Sequence, residues 1–363
     1  MINKKKHIFY FDALRALAIC SVIILHAFSI TRSHAIMGYG IVPTLNWLVT
    51  DFAIVCLREG VPLFLVLSGA LSLGRKWTIS SFLKKRIPRI VLPFLFWGCL
   101  MSLAIIFASY IFHIDQYMNA FTITNIVKFI IDAYLVKSPG FYSYWFFWMI
   151  LGTYLIMPIF NKWIYHSDLK ELEYFLVIWL ITCIFDFTLG IDFPIKLNYF
   201  VSPIGLVVLG YYLRYTERKF LNNPYVSIFL IVASCLAMMA ISYLFSTPEE
   251  YYVFDRYAIF TAIEVIGIVT LFKNFNKLNI KLKSIKSPDS KIRKLISYIA
   301  RYSYGMYLIH TPFFAILLAN FPYDLLGYKL SALIFVLAGI FVPLISMHLL
   351  NKIPYLNQVI GAK

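Results

Sequence analysis

Ten apolar runs, most of them close to twenty residues long, leave this chain one class of fold. They fall at about 9–31, 50–73, 90–112, 144–164, 173–190, 195–213, 224–245, 257–273, 297–320 and 329–351. A helix of about 20 apolar residues is long enough to cross the hydrocarbon core of a bilayer. Repeated this often, the pattern predicts an all-α integral membrane protein of about ten transmembrane helices. The runs cover the chain so densely that residues 1–363 read as one transmembrane domain with no appended soluble domain.

The basic residues predict how those helices are threaded. With the N-terminus in the cytoplasm, 24 Lys and Arg residues fall on inner segments and six on outer ones. The inner set includes Lys4, Lys5, Lys6, the 75–89 cluster, Arg214, Arg218, Lys219 and the 273–294 loop. The outer set is Arg32, Lys128, Lys137, Lys196, Arg256 and Lys329. Cytoplasmic loops carry the excess of Lys and Arg, so both termini are expected inside. The expected location is a plasma membrane.

Composition removes other classes. Apolar residues make up 61% of the chain and charged ones 14%, far from the balance of a soluble domain. The formal charge of +16 follows from membrane topology, and no nucleic-acid-binding motif accompanies it. Cys20, Cys56, Cys99, Cys183 and Cys235 all sit inside apolar runs, none at metal-ligand spacing. They read as small apolar side chains, with neither a disulfide nor a metal site. Residues 126–136, in an outer segment, read as an amphipathic helix lying in the membrane interface. The 273–294 loop reads as a contact for anionic lipid.

Against this apolar background, a few polar residues need a reason. The first run holds Asp12, Arg15 and His26, and ionisable groups at membrane depth face partners or cavities. Arg15 and His26 are eleven residues apart. That is three helical turns plus about 20°, which puts both on one face roughly 16 Å apart. Imidazole suits proton transfer near neutral pH, so His26 is a candidate general base. Its plainer role is a buried histidine bonded to a neighbouring helix. Arg15 is a candidate anion ligand, or the partner of Asp12 or Glu59.

Arg86 and Arg89, three residues apart on either side of Pro88, fall at the inner start of the third run. If the helix starts there, its backbone N–H groups and two guanidinium groups converge into an anion site. Otherwise these arginines serve topology alone. Arg58 and Glu59 are expected to neutralise buried partners. Glu264, Tyr304 and His310, with Glu59, are candidates to line an acceptor cavity, and His310 is placed to share one with His26. Tyr142, Tyr144, Trp145 and Trp148 read as an aromatic belt at the outer interface.

These residues carry a family resemblance. The chain resembles the type 3 acyltransferases, integral membrane proteins whose first span shows Arg or Lys, ten residues, then His. Arg15 and His26 match that pattern, and Arg86 and Arg89 match the family's Arg-x-x-Arg at the inner start of the third span. GVPLFLVLSG at 60–69 matches its glycine-led run ending in Leu-Ser-Gly. Residues 144–160 and SYGMYLIH at 303–310 are similar to single-domain members that O-acetylate surface polysaccharides. The resemblance covers essentially the whole chain. Some relatives append an extracytoplasmic hydrolase domain, which is not expected here.

The resemblance implies a membrane O-acyltransferase. An acyl-CoA donor, most often acetyl-CoA, would place its phosphates on Arg15, Arg86 and Arg89. The acyl group would pass to a hydroxyl of an extracytoplasmic glycan or lipid-linked sugar. His26 would act as general base or carry the acyl group itself. The competing class is a proton-coupled secondary transporter or a flippase of a glycan precursor, since intramembrane Arg, Glu and His suit that too. No inverted repeat or matched pair of broken helices supports it.

Overall fold

The computed structural model describes residues 8–36, 45–113, 121–191, 194, 195, 197–245, 254–278, 287, 290–319 and 321–362. Among them the protein is helical and carries no strand. Several topology-setting charges lie outside the described residues: Lys4, Lys5, Lys6, Lys196, Lys281, Lys283, Lys286 and Lys363.

The helices are α1 Phe9–Ile36, α2 Leu45–Cys56, α3 Gly60–Ser72, α4 Ile79–Phe112, α5 Ile123–Tyr134, α6 Trp145–His166 and α7 Leu169–Ile184. They continue with α8 Asn198–Tyr215, α9 Pro224–Phe245, α10 Ile259–Asn274, α11 Lys291–Ala319, α12 Tyr323–Leu350 and the short α13 Leu356–Val359. Eight segments among the described residues are long and apolar enough to cross a membrane. The expected runs at 195–213 and 297–320 fall on α8 and α11, which are not among those eight.

Two boundaries differ from expectation for local reasons. The run at 50–73 forms two helices, α2 and α3, with turns at Leu57–Glu59 between them. Pro62 is the cause. It has no N–H to give the carbonyl four residues back, and its ring clashes there. In the first turn of a new helix the same proline is tolerated, and α3 starts at Gly60. The third run starts earlier than expected. Thr78 caps α4, its side chain accepting from the Ser81 N–H while Ser81 bonds back to Thr78. This capping box starts the helix at Ile79. The expected interfacial helix at 126–136 corresponds to α5, with Phe129 and Ala133 buried and Val127 and Ile131 exposed.

The chain divides into two compact units. One comprises the described residues of Met1–Ser21, Arg58–Lys76 and Ile159–Arg301; the other those of Val22–Leu57, Trp77–Pro158 and Tyr302–Lys363. In the first unit, α3 and α8 meet backbone to backbone. A methyl group on Gly69 would lie 1.7 Å from the Val207 carbonyl oxygen, and one on Gly210 would lie 1.9 Å from that of Val66. Small residues permit such contact between membrane helices. Ser227 of α9 and Thr270 of α10 share a hydroxyl bond of 2.8 Å. Arg214 donates to the Ala70 carbonyl at 2.5 Å, tying the end of α8 to α3.

The second unit is built around α4, 34 residues long, or about 51 Å at 1.5 Å per residue. Phe94 stacks on Phe147 of α6, with centroids 3.6 Å apart. The Trp97 indole donates to the Ile360 carbonyl at 3.0 Å, which brings the C-terminal turn against α4. Tyr134 of α5 donates to Leu95 at 2.5 Å.

Candidate functional site

The centre of the second unit is a pair of histidines from distant parts of the sequence. His26 Nδ1 lies 2.8 Å from Nε2 of His310. His310 Nδ1 lies 2.7 Å from the Tyr307 carbonyl oxygen, one turn back on α11. The two rings are within 12° of parallel, with centroids 5.1 Å apart. Tyr142 meets the His26 ring edge-on at 5.2 Å. His310 is fully buried, whereas His26 keeps part of its surface open.

The wall that positions His310 is fixed by hydrogen bonds to the turn before α6. Tyr144 donates to the Leu308 carbonyl at 3.0 Å. Ser143 and Thr311 share a hydroxyl bond of 2.6 Å, and the Tyr307 hydroxyl donates to the Ser143 carbonyl. Every one of these groups is buried, so the polar atoms of 143, 144, 307, 308 and 311 satisfy one another where water does not reach. This takes Tyr144 out of the expected interfacial belt. Tyr144 is fully buried, while Tyr142, which touches His26, and Trp148 keep 42% and 46% of their surface exposed.

A cavity of about 250 Å³ adjoins the pair, lined by Ile30, Pro139, Gly140, Tyr142, Thr311 and Ala315 among others. Tyr142 both lines it and contacts His26; Thr311 follows His310 in the chain. Gly140 sits at φ +82°, and a methyl group there would approach the Ala315 methyl to 2.7 Å. This glycine therefore satisfies both the left-handed turn and the close packing of the wall.

Arg86 and Arg89 also belong to the second unit, both on α4. The Arg86 side chain is partly buried, 6.0 Å from the Phe82 ring, and Arg89 is exposed. The expected convergence with a helix N-terminus does not occur, because α4 starts at Ile79. Both arginines lie two or more turns inside the helix, where backbone N–H groups are used in intrahelical bonds. What they offer an anion is guanidinium charge and N–H donors, without the helix N-terminus. The Tyr304 hydroxyl donates to the Ile90 carbonyl at 2.8 Å and so holds α11 to α4.

The first unit contains the remaining candidates. α1 is continuous from Phe9 to Ile36, so the eleven-residue spacing of Arg15 and His26 is a true helical spacing. Arg15 lies 3.8 Å from Asp12. Glu59 does not pair with it; instead it accepts from the Ser21 hydroxyl at 2.6 Å. Glu264 accepts from the Cys235 thiol at 3.3 Å. Both carboxyls are buried, at 1% and 3% exposure. Of the residues that touch these candidates, Ser21 and Thr311 went unmarked in the sequence, Cys235 read as a small apolar side chain and Tyr142 as part of an aromatic belt. The only signal was a small polar residue or a tyrosine beside a run already in use. Among the described residues, no group of three or more His, Cys, Asp and Glu is placed to hold a metal ion.

Apolar helices of bilayer length, with a hydrogen-bonded histidine pair among them, define a multi-pass membrane protein. The acyltransferase-domain family model matches residues 8–351, and the chain belongs to the acyltransferase 3 family. No curated protein and no solved structure matches it.

Proposed function

We propose that the protein is a membrane O-acyltransferase that moves an acyl group, in the simplest case acetyl, from acyl-CoA to a hydroxyl of an extracytoplasmic glycan or lipid-linked sugar. The observation that carries this reading is the hydrogen-bonded His26–His310 pair beside a cavity, in a chain of this family. In the proposed reaction His26 removes the proton of the acceptor hydroxyl as its oxygen attacks the thioester carbonyl. The carbon–sulfur bond then breaks, and the proton passes from the imidazolium to the leaving thiolate, giving free CoA thiol. A positioned base of this kind contributes about 10²–10⁴-fold. The cavity lined by Tyr142 and Thr311 is the proposed approach for the acceptor. Arg86 and Arg89 are the proposed ligands of the donor's phosphates.

The test is transfer of radiolabelled acetyl from acetyl-CoA by the purified protein to envelope glycans. Transfer that is lost in His26→Ala, with the protein still folded, is the expected result. A wild-type protein that translocates a glycan precursor without acylating it is a carrier, and the proposal fails.

A further inference from the structure

We infer that His310 is a positioning residue that sets the tautomer of His26, so that Nε2 of His26 carries the lone pair that takes the acceptor's proton. This rests on the proposed role of His26 as base.

The inference follows from which atoms can donate. The Tyr307 carbonyl oxygen only accepts, so the 2.7 Å contact requires a proton on Nδ1 of His310. Neutral imidazole has one N–H, which leaves Nε2 of His310 as an acceptor. The atom facing it at 2.8 Å is Nδ1 of His26, which must therefore be the donor. With its one proton on Nδ1, the neutral His26 ring holds its basic lone pair on Nε2. In a histidine, the bond made by one ring nitrogen decides the state of the other.

The geometry fits this assignment. Nitrogens 2.8 Å apart are closer than stacked ring faces allow, so nearly parallel rings with centroids 5.1 Å apart meet edge to edge, in plane. That is the direction of an N–H···N bond. The alternative is a doubly protonated His310 donating to both neighbours. It would leave a charge on a fully buried ring whose aromatic neighbours include Tyr307 and Phe314, and an uncompensated buried charge is costly. The chain of bonds ends on a fixed anchor, because the Tyr307 hydroxyl and its neighbour Leu308 are held by residues 143 and 144. His310 thus arrives with its acceptor already aimed.

The experiment is ¹⁵N magnetic resonance on the full-length protein labelled at histidine ring nitrogens, with His26 assigned by the signals lost in His26→Ala. At neutral pH the expected His26 signature is a protonated Nδ1 and an unprotonated Nε2. His310→Phe removes the acceptor and keeps a buried ring; His310→Gln offers an amide oxygen in its place. The Phe variant should lose the Nδ1–H signature and at least tenfold in kcat, with the KM for acyl donor little changed. The Gln variant should regain the signature and most of the rate. An unprotonated Nδ1 on His26 in the wild type overturns the inference. So does a Phe variant that keeps the wild-type signature, or a Gln variant no better than Phe. If His26→Ala keeps its activity, the base reading fails instead, whatever the tautomer.

Discussion

Ser21 Oγ donates to Glu59 Oε1 across 2.6 Å, joining the middle of α1 to the residue that precedes α3. Both side chains are buried, at 2% and 1% exposure. The second carboxyl oxygen, Oε2, is buried and has no hydrogen-bond partner among the described residues. Ser21 is thus the one hydroxyl in the described structure that satisfies this carboxyl, and a glutamate inside an apolar run depends on a serine that the sequence does not mark.

The Ser21–Glu59 bond makes Ser21→Ala destabilising out of proportion to the atom removed. Leaving a buried acceptor unsatisfied costs about 1–3 kcal/mol. A lower melting temperature in detergent is the expected outcome. Adding Glu59→Gln should soften the loss, because a neutral amide is cheaper to bury. A Ser21→Ala protein that melts with the wild type would show that the bond contributes nothing.

Two glycines in transmembrane helices should respond in opposite ways to alanine. A methyl group at Gly69 meets the Val207 backbone at 1.7 Å, and no side-chain rotation relieves that contact. Gly69→Ala must separate α3 from α8, at about 3 kcal/mol or more. Gly152 on α6 has nothing within 4 Å of the added methyl. Gly152→Ala should stabilise by about 0.5–1 kcal/mol, the helix preference of alanine over glycine. Chemical denaturation of both variants in the same detergent makes the comparison.

Arg86→Ala and Arg89→Ala should raise the KM for acyl-CoA more than they lower kcat. A hydrogen bond to a charged group contributes about 1.5–3 kcal/mol, which is roughly a tenfold to hundredfold change. The partly buried Arg86 is expected to show the larger effect and the weaker dependence on salt, since exposed Arg89 is screened. Donor affinities that do not change in either variant would return both residues to a topological role.

The C-terminal turn should be part of the folded second unit. Ile360 is fully buried and its carbonyl accepts from Trp97, which is itself 2% exposed. A methyl group at Gly361 would sit 3.1 Å from the Tyr304 ring. Ending the chain at Tyr355 should therefore lower the melting temperature by several degrees and expose Trp97. Trp97→Phe should reproduce part of that loss, about 1 kcal/mol for the hydrogen bond. Tryptophan fluorescence during thermal unfolding reads both.

By itself the sequence determined the class. Apolar length, 61% apolar composition and sparse charge leave membrane helices as the one outcome, because a bilayer selects segments by their own transfer energy, with no reference to distant residues. Local chemistry was legible for the same reason. The Thr78–Ser81 cap and the break before Pro62 are each written within a few residues, although both were missed: α4 was expected to start later and 50–73 to form one run. The spacing of Arg15 and His26 survives on a continuous α1, while the helix N-terminus expected beside Arg86 and Arg89 lies at Ile79 instead. Only the tertiary structure decided partnership. It joined His26 to His310, 284 residues apart, gave Glu59 to Ser21 instead of Arg15, and buried Tyr144 where a surface belt was expected. Hydrogen bonds between helices depend on side-chain direction and helix rotation to within an ångström. Hydrophobic periodicity sets which residues are apolar enough to enter the membrane, and leaves open which polar groups then meet inside it.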